Sequence, residues 1–342
     1  MRSQGLFDLQ VNGFAGVDFN DAALTADALD HALEAMLRTG VTRCLPTIIS
    51  ATQSDLGERF SALDRAVATS RLGPAMVPGY HLEGPFLSAA PGYRGCHPAA
   101  AMRDANPDLV TGLEQLTTRP ILLVTLAPEV GNAVAFTRWA VARGKVVALG
   151  HTAASRKEIA ACVDAGARLS THLGNGLAHT QHKFANPMMA QLCEPRLHAS
   201  LIADGIHIPP DVVAVLVRAR TLAQTILVTD AVAAAAASAG RYGFAGMVID
   251  RDPSGRVTSG AGDTLAGSAL TLDAAVRNVV AWEIAGKADA IAMASATPSR
   301  LMSDALAACG NADRAGDVVW SHDLQPARIR LHDGTEVINT QV

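Results

Sequence analysis

Eight short apolar runs, each followed by a longer segment of helical periodicity, restrict the fold of this sequence more than any other feature. Short apolar runs bounded by turn residues are typical of buried parallel strands. Strand–helix alternation repeated eight times is the pattern of a (β/α)8 barrel. The predicted strands are Leu6–Val11, Thr42–Pro46, Val77–His81, Ile121–Leu126, Val146–Leu149, Arg168–Thr171, Ala199–Ala203 and Ile226–Thr229.

The predicted helices between these strands carry recognisable start and stop residues. Ser54 precedes the helical segment Asp55–Ala68, and Ser155 precedes Arg156–Ala165, which Gly166 closes. Serine favours the N-cap because its side-chain oxygen accepts an unpaired N–H of the first turn. We therefore expect Ser54 and Ser155 to cap their helices.

The pattern changes after the eighth strand. An alanine-rich stretch, Ala231–Gly240, is followed by an apolar–polar alternation over Phe244–Thr258 that predicts an inserted β-hairpin. A helical block then precedes two terminal strand-like segments, Asp317–Ser321 and Ala327–Ile338. We expect the terminal strands to join the hairpin in one small β-layer. The barrel would comprise residues 5–240 and 268–310, and the β-subdomain 241–267 and 311–342.

Charge and hydropathy exclude several classes of protein. The net charge of the 342 residues is −4 and no basic run occurs, which argues against binding to nucleic acid. No stretch approaches the roughly 20 apolar residues of a membrane helix, and Met1–Gly5 lacks the apolar core of a signal peptide. We therefore expect a cytoplasmic protein with neither a nucleic-acid nor a membrane partner.

Chemically active side chains stand where four of the predicted strands end. Glu83, His151 and His172 offer one oxygen and two nitrogens, a set that suits Zn²⁺ and leaves a position for water. Asp230 follows the eighth strand and could move a proton to or from that water, or could instead cap a following helix. The carboxyl ends of barrel strands share one rim, so a hydrolytic metal site is predicted there.

Further polar residues near these motifs are candidates for substrate binding. His97 follows a glycine-rich loop, and His207 ends the segment after strand seven. Asn175 and Gly176 lie just beyond His172 and could present an amide and backbone N–H groups. The nearest basic cluster consists of His179, His182 and Lys183.

The ordered motifs resemble the N-acetylglucosamine-6-phosphate deacetylase family of the amidohydrolase superfamily over nearly the whole chain. By this resemblance Glu83, His151 and His172 hold the metal, Asp230 is the catalytic acid and base, and His97 and His207 contact the substrate. A homodimer is also implied. The motifs are Asp8–Gly13, Gly40–Thr47, His81–Phe86, Val124–Glu129, Gly150–His151, Thr171–Leu173, Ala203–His207, Val228–Ala231, Leu265–Thr271 and Val276–Asn278.

The first strand indicates how many metal ions to expect. Binuclear amidohydrolases commonly carry His-x-His at its end, whereas this chain has Gln10 and Asn12, and amides are poor ligands for transition metals. We interpret these two residues as vestigial second-metal positions and expect one divalent ion per subunit. Zinc is the first candidate, although iron, cobalt and manganese accept the same ligands.

Two departures from the family pattern change the expectations. Family members carry an arginine for the substrate phosphate in the segment after the second histidine ligand, but here the segment His179–Pro187 has none; Lys183 or His182 could substitute. The first barrel strand begins within ten residues of Met1. The predicted fold is therefore an amidohydrolase-type (β/α)8 TIM barrel with a small, N-terminally reduced β-layer, formed by the insertion after strand eight and the C-terminal strands.

Three functions are compatible with these residues. The first is metal-dependent removal of the acetyl group from an N-acetylated amino sugar, with N-acetylglucosamine 6-phosphate as the leading substrate. The second keeps the chemistry but acts on an unphosphorylated N-acyl amino sugar or a cyclic amide, because the phosphate-binding arginine is absent. The third is a sugar-binding protein without catalytic activity.

Overall fold

The computed structural model describes residues 1–260, 264–312 and 314–340, in which strands and helices alternate as the sequence predicts. The strands are β1 (Arg2–Gln4), β2 (Leu6–Val11), β3 (Gly13–Phe14), β4 (Val17–Asp18), β5 (Val41–Ile49), β6 (Tyr80–Glu83), β7 (Ile121–Leu126), β8 (Val146–Leu149), β9 (Leu169–Ser170), β10 (His198–Leu201), β11 (Thr225–Leu227), β12 (Gly240–Phe244), β13 (Met247–Arg251), β14 (Val257–Ser259), β15 (Asp317–Trp320), β16 (Pro326–Arg330) and β17 (Glu336–Ile338).

Eight of these strands form one parallel sheet in the order β2-β5-β6-β7-β8-β9-β10-β11. The sheet curls until its two edge strands meet beyond their carboxyl ends. There the Asn12 N–H donates to the Ala231 carbonyl over 2.7 Å, and the Asp230 N–H donates to the Gln10 carbonyl over 2.9 Å. The predicted (β/α)8 barrel is confirmed.

The helices surround the barrel and bury their apolar faces against it. Ser155 caps its helix through a capping box with Glu158, as predicted. The other predicted cap is wrong, because Thr52 rather than Ser54 accepts the Asp55 N–H. The helices are α1 (Ala26–Arg38), α2 (Gln53–Thr69), α3 (Gly73–Met76), α4 (Pro107–Glu114), α5 (Ala133–Val141), α6 (Arg156–Asp164), α7 (Pro187–Leu192), α8 (Pro210–Arg220), α9 (Leu272–Ala281), α10 (Lys287–Ala294), α11 (Ala296–Leu301) and α12 (Ser303–Ala308).

Besides the short β3–β4 pair, the described residues form two antiparallel sheets outside the barrel. The terminal strands and the insertion belong to different sheets, so the expectation of one shared β-layer is wrong. The terminal sheet has the order β1-β15-β16-β17, because Arg2–Gln4 pairs with Asp317–Trp320 and leaves no edge of β15 for the insertion. The inserted sheet consists of β12, β13 and β14. The residue ranges of the barrel and the β-subdomain stay a prediction.

The inserted sheet packs over the barrel mouth. Its Phe244, Ile249 and Val257 share a small apolar core with Ile49 of β5 and Val232 beyond β11. The alanine-rich stretch beneath it is buried over residues 231–235 and forms turns rather than a helix. Among the described residues, no helix combines the length and the apolar character needed to cross a membrane.

Candidate active site

The four candidate residues lie together at the carboxyl end of the barrel. Glu83 ends β6, His151 and His172 follow β8 and β9 by two residues, and Asp230 follows β11. Glu83 and His172 are each 2% exposed and His151 is 6% exposed, whereas Asp230 is half-buried. Parallel strands thus deliver one carboxylate and two imidazoles to a single buried point, with a second carboxylate beside it.

The distances among Glu83, His151 and His172 match a metal site. His172 Nε2 lies 3.0 Å from Glu83 Oε1 and 3.1 Å from His151 Nε2, and His151 Nε2 lies 3.4 Å from Glu83 Oε1. A tetrahedral ion with bonds of about 2.0–2.1 Å places its ligand atoms about 3.3 Å apart. These three atoms therefore have the spacing of ligands around one ion.

His97 lies next to the same group. Its Nε2 is 3.9 Å from Glu83 Oε2, and Glu83, His97 and His151 can present ligand atoms that all lie within 4.8 Å of one another. The distances to His172 are shorter and closer to tetrahedral spacing, so the geometry favours the predicted His172 over His97 as the third ligand. Burial, and then the neighbouring His151, lowers the pKa of His97 to about 3, which keeps its ring neutral.

The tautomer of His151 is also compatible with a bound cation. Its Nδ1 lies 2.8 Å from the Tyr93 carbonyl, which can only accept, so Nδ1 carries the hydrogen. In the neutral ring, Nε2 then presents a bare lone pair to the Glu83 carboxylate, and two acceptors repel unless a cation lies between them. Burial opposes ionisation of Glu83, but its contacts with His151 and His172 hold its pKa well below the ordinary value. The donor set fits a divalent metal.

Asp230 is held by the two amides that end the first barrel strand. Its Oδ1 accepts from Asn12 Nδ2 over 2.7 Å and from Gln10 Nε2 over 3.1 Å, and the Gln10 amide also donates to Glu83 Oε1. Burial and the nearby Glu83 charge raise the pKa of Asp230 to about 6. No helix begins within the described residues that directly follow Asp230, so the helix-cap interpretation is wrong.

Three of these four residues have a left-handed backbone. The φ angles are 49° at His151, 30° at His172 and 49° at Asp230. Residues with a Cβ rarely adopt positive φ, and the strain costs about 1–3 kcal/mol each where it occurs. The chain turns sharply after each strand, which is how consecutive strand ends direct their side chains toward the same point.

The site opens into a cavity of about 930 Å³, a size typical of small-molecule sites. Asn175, Gly176 and His207, which the sequence suggested, line it together with His97. His207 Nδ1 lies 2.7 Å from Asp204 Oδ2 and leaves Nε2 for a ligand. The inserted segment adds residues that sequence reasoning missed, namely Phe244, Arg256, Thr264 and Leu265.

His182 and Lys183, which the sequence also suggested as substrate-binding residues, do not line this cavity. Both are exposed. His182 Nδ1 accepts the backbone N–H groups of Phe184 and Ala185, and Lys183 Nζ lies 5.5 Å from the centre of the Phe184 ring. Their side chains are engaged within their own loop, whereas His179 and Gln181 of the same segment do reach the cavity.

An eight-stranded parallel barrel that brings an open Glu/His/His group and an aspartate to its carboxyl rim defines a barrel hydrolase. The sequence is 37% identical over 300 residues to N-acetylgalactosamine-6-phosphate deacetylase of Escherichia coli O157:H7, covering 86% of this chain and 76% of that protein. It is 32% identical over 311 residues to N-acetylglucosamine-6-phosphate deacetylase of Homo sapiens, covering 87% of this chain and 73% of the human one. The chain belongs to the family of N-acetylglucosamine- and N-acetylgalactosamine-6-phosphate deacetylases.

The solved structures agree with this assignment. A mutant of N-acetyl-D-glucosamine-6-phosphate deacetylase from Mycobacterium smegmatis, in complex with N-acetyl-D-glucosamine-6-phosphate, matches with a TM-score of 0.84 and 28% identity. The match covers 99% of this chain and 87% of that chain. No protein-family model matches the sequence. The resemblance found in the sequence motifs is thereby confirmed.

Proposed function

We propose that this protein removes the acetyl group from an N-acetylated amino sugar 6-phosphate, converting N-acetylglucosamine 6-phosphate into glucosamine 6-phosphate and acetate. The convergence of Glu83, His151 and His172 beside Asp230 carries the proposal, because amide hydrolysis needs both an activated water and a proton carrier. The names of the relatives indicate the class of substrate.

Glu83, His151 and His172 would hold one divalent metal ion, with zinc as the first candidate and iron, cobalt or manganese as alternatives. When bound, such an ion lowers the pKa of water and polarises a carbonyl group. The chain supports one such site rather than two, because Gln10 and Asn12 use their amide groups as donors to carboxylates and not as ligands.

Asp230 moves the proton. As a carboxylate it takes a proton from the attacking water, and as an acid it gives that proton to the sugar nitrogen when the C–N bond breaks. Its raised pKa of about 6 suits both roles, since the group can be ionised before attack and can hold the proton afterwards. Asn12 and Gln10 keep Oδ1 in place while leaving the other oxygen, Oδ2, for the proton.

His97, His207, Asn175 and Gly176 would contact the sugar. Neutral His97 lies against the metal group and can donate to the oxygen that gains charge as water adds to the acetyl carbon. Ser50 Oγ, 2.8 Å from His97 Nδ1, fixes its ring. His207, which Asp204 orients, is available to a sugar hydroxyl or to the phosphate.

An acetate-release assay on metal-loaded protein tests the proposal over N-acetyl amino sugars with and without a 6-phosphate. We expect the phosphorylated sugars to be hydrolysed with a kcat/KM higher by a factor of about 100, the scale of a charge-assisted contact. Equal rates for both forms would favour an unphosphorylated N-acyl sugar. Stoichiometric metal with no hydrolysis of any sugar or cyclic amide would favour the sugar-binding protein.

N-acetylgalactosamine 6-phosphate is a second candidate substrate. The relative that shares 37% identity carries that name, whereas the human relative named for glucosamine shares 32%. The two sugars differ only in the configuration of one ring hydroxyl group. The same assay decides between them, because the correct epimer should have the higher kcat/KM.

The assembly and location of the protein are also proposals. The family resemblance supports a homodimer, which sedimentation of the purified protein tests by its mass. We also propose a location in the cytoplasm, which fractionation of cells that express the protein would test.

A further inference from the structure

We propose that Arg256, which directly precedes β14 of the inserted sheet, binds the phosphate group of the substrate. This inference rests on the proposed function, since it assumes a phosphorylated sugar. Of the described residues that line the cavity, Arg256 is the only arginine or lysine. An arginine is charged at every physiological pH and its planar fork can donate two parallel hydrogen bonds to a phosphate.

The charges around the cavity are separated. Its acidic residues among those described are Glu83 and Asp230, and both belong to the metal end. Arg256 is half-exposed and comes from the sheet that covers the mouth. The anionic end of a ligand would be repelled by these two carboxylates.

The chemistry of the substrate requires such an arrangement. In a hexosamine 6-phosphate, the acetamido group is on C2, and the phosphate is carried by the carbon attached to C5, across the ring from C2. When the acetyl group lies at Glu83 and His172, the phosphate must point away from them. Arg256 lines the same cavity and is half-exposed, whereas these ligands are buried.

The backbone around Arg256 is well fixed. Its N–H donates to Asp252 Oδ1 over 3.1 Å, and its carbonyl accepts the Asp252 N–H over 3.0 Å. The next residue, Val257, is 1% exposed and its carbonyl accepts the Ala266 N–H. An arginine whose backbone is held at the start of a strand loses less conformational freedom on binding than an arginine on a flexible loop.

Lys183 is the competing cation. It lies in the segment where the family carries its arginine, but its ammonium group lies over the Phe184 ring and does not line the cavity. A lysine offers a point charge in place of a bidentate fork. Lys183→Gln is therefore the matched control for Arg256→Gln, since each change removes one positive charge near the mouth.

Calorimetric titration of the metal-loaded protein with glucosamine 6-phosphate and with glucosamine tests the proposal without requiring catalysis. Arg256→Gln should weaken binding of glucosamine 6-phosphate about 100-fold and leave binding of glucosamine unchanged. Arg256→Lys should fall between wild type and Arg256→Gln, and Lys183→Gln should match wild type. In acetate-release assays, Arg256→Gln should lose kcat/KM only on the phosphorylated substrate.

Three results would overturn the role of Arg256: a loss of less than about threefold in Arg256→Gln, an equal loss for both sugars, or a selective loss in Lys183→Gln. The last would assign the phosphate to the loop 179–187. These outcomes are distinct from failure of the proposed function. A protein that binds glucosamine 6-phosphate through Arg256 but releases no acetate keeps the phosphate site and loses the deacetylase assignment.

Discussion

The metal end of the cavity and its rim are built in different ways. At the metal end, Glu83, His151 and His172 lie at or just beyond the ends of barrel strands, are almost fully buried and contact one another. At the rim, Arg256 lies in the turn before β14 of the inserted sheet and His179 lies on an irregular loop, and both are partly or fully exposed. We therefore expect the regular barrel to fix the chemistry and the added segments to select the substrate.

This division has an experimental consequence. Changes at the metal end should alter turnover of every substrate alike, because they affect the acetyl group that all substrates share. Changes at the rim should instead discriminate between substrates. The predictions below test the metal end and its support in order of decreasing effect on turnover.

Asp230→Asn should have the largest effect. The amide keeps the size of the side chain but cannot carry the proton, so kcat should fall by about 10³-fold on phosphorylated and unphosphorylated sugars alike. Metal content, measured by elemental analysis, should stay at the wild-type level. The exposed Asp211→Asn on α8 is the control and should retain full activity. Full activity in Asp230→Asn would refute the assignment.

His97→Gln should have the next largest effect. It also tests whether the third ligand beside Glu83 and His151 is His172 or His97. If His97 donates to the developing oxyanion, kcat should fall by about 10²-fold while the metal content stays unchanged. His172→Gln is the comparison, since loss of a ligand should deplete the metal itself. Metal depletion in His97→Gln would instead make His97 a ligand.

Asn12→Ala tests how the first strand supports the proton carrier. Wild-type kcat/KM should fall below about pH 6, because protonated Asp230 cannot accept a proton from water. The hydrogen bond from Asn12 lowers the pKa of Asp230, so its loss should move this acidic limb to higher pH and reduce kcat about tenfold. A pH profile identical to that of wild type would mean that the amide has no part in tuning Asp230.

Asp8→Asn should have the smallest effect on turnover and instead alter stability. Burial raises the pKa of Asp8 to about 7, against hydrogen bonds from Thr229 that lower it. Between pH 3.8, its ordinary pKa, and about pH 7, Asp8 holds a proton in the folded protein that it has released in the unfolded chain. The contribution of Asp8 to the free energy of unfolding therefore declines as pH rises and levels off above about pH 7.

Urea denaturation of wild type and Asp8→Asn at pH 4 and pH 8 checks this expectation. The difference between the two proteins should change by up to about 4 kcal/mol across that range, in favour of the variant at the higher pH. Parallel curves would place the ionisation of Asp8 at its ordinary pKa.

The barrel and its group of candidate ligands could be predicted from the sequence because the strand–helix pattern repeats regularly. Each candidate ligand follows an apolar strand, and the ends of parallel strands must meet at one rim, so Glu83, His151 and His172 could be placed together without knowledge of side-chain contacts. Their roles as ligands stay a prediction. The contacts of Gln10 and Asn12 with Asp230 were not foreseen, since they cross the seam of the barrel.

The accessory segments were harder to predict because their contacts are distant in sequence and lack a periodic pattern. Arg2–Gln4 is too short to be identified as a strand, yet it pairs with β15 at the other end of the chain. Arg256 stands beside a surface turn, and only the packing of Phe244 and Val257 against the barrel brings that turn to the cavity. Such docking depends on shape complementarity between segments that local sequence does not encode.

The amide pair Gln10 and Asn12 bears on how the protein depends on metal supply. In a site with two metal ions, loss of the second ion would also remove what holds the neighbouring carboxylates in position. Here the donors that hold Asp230 are part of the polypeptide and cannot be chelated away. We expect a chelator to empty a single position, and one equivalent of divalent metal to restore full activity with no gain from a second.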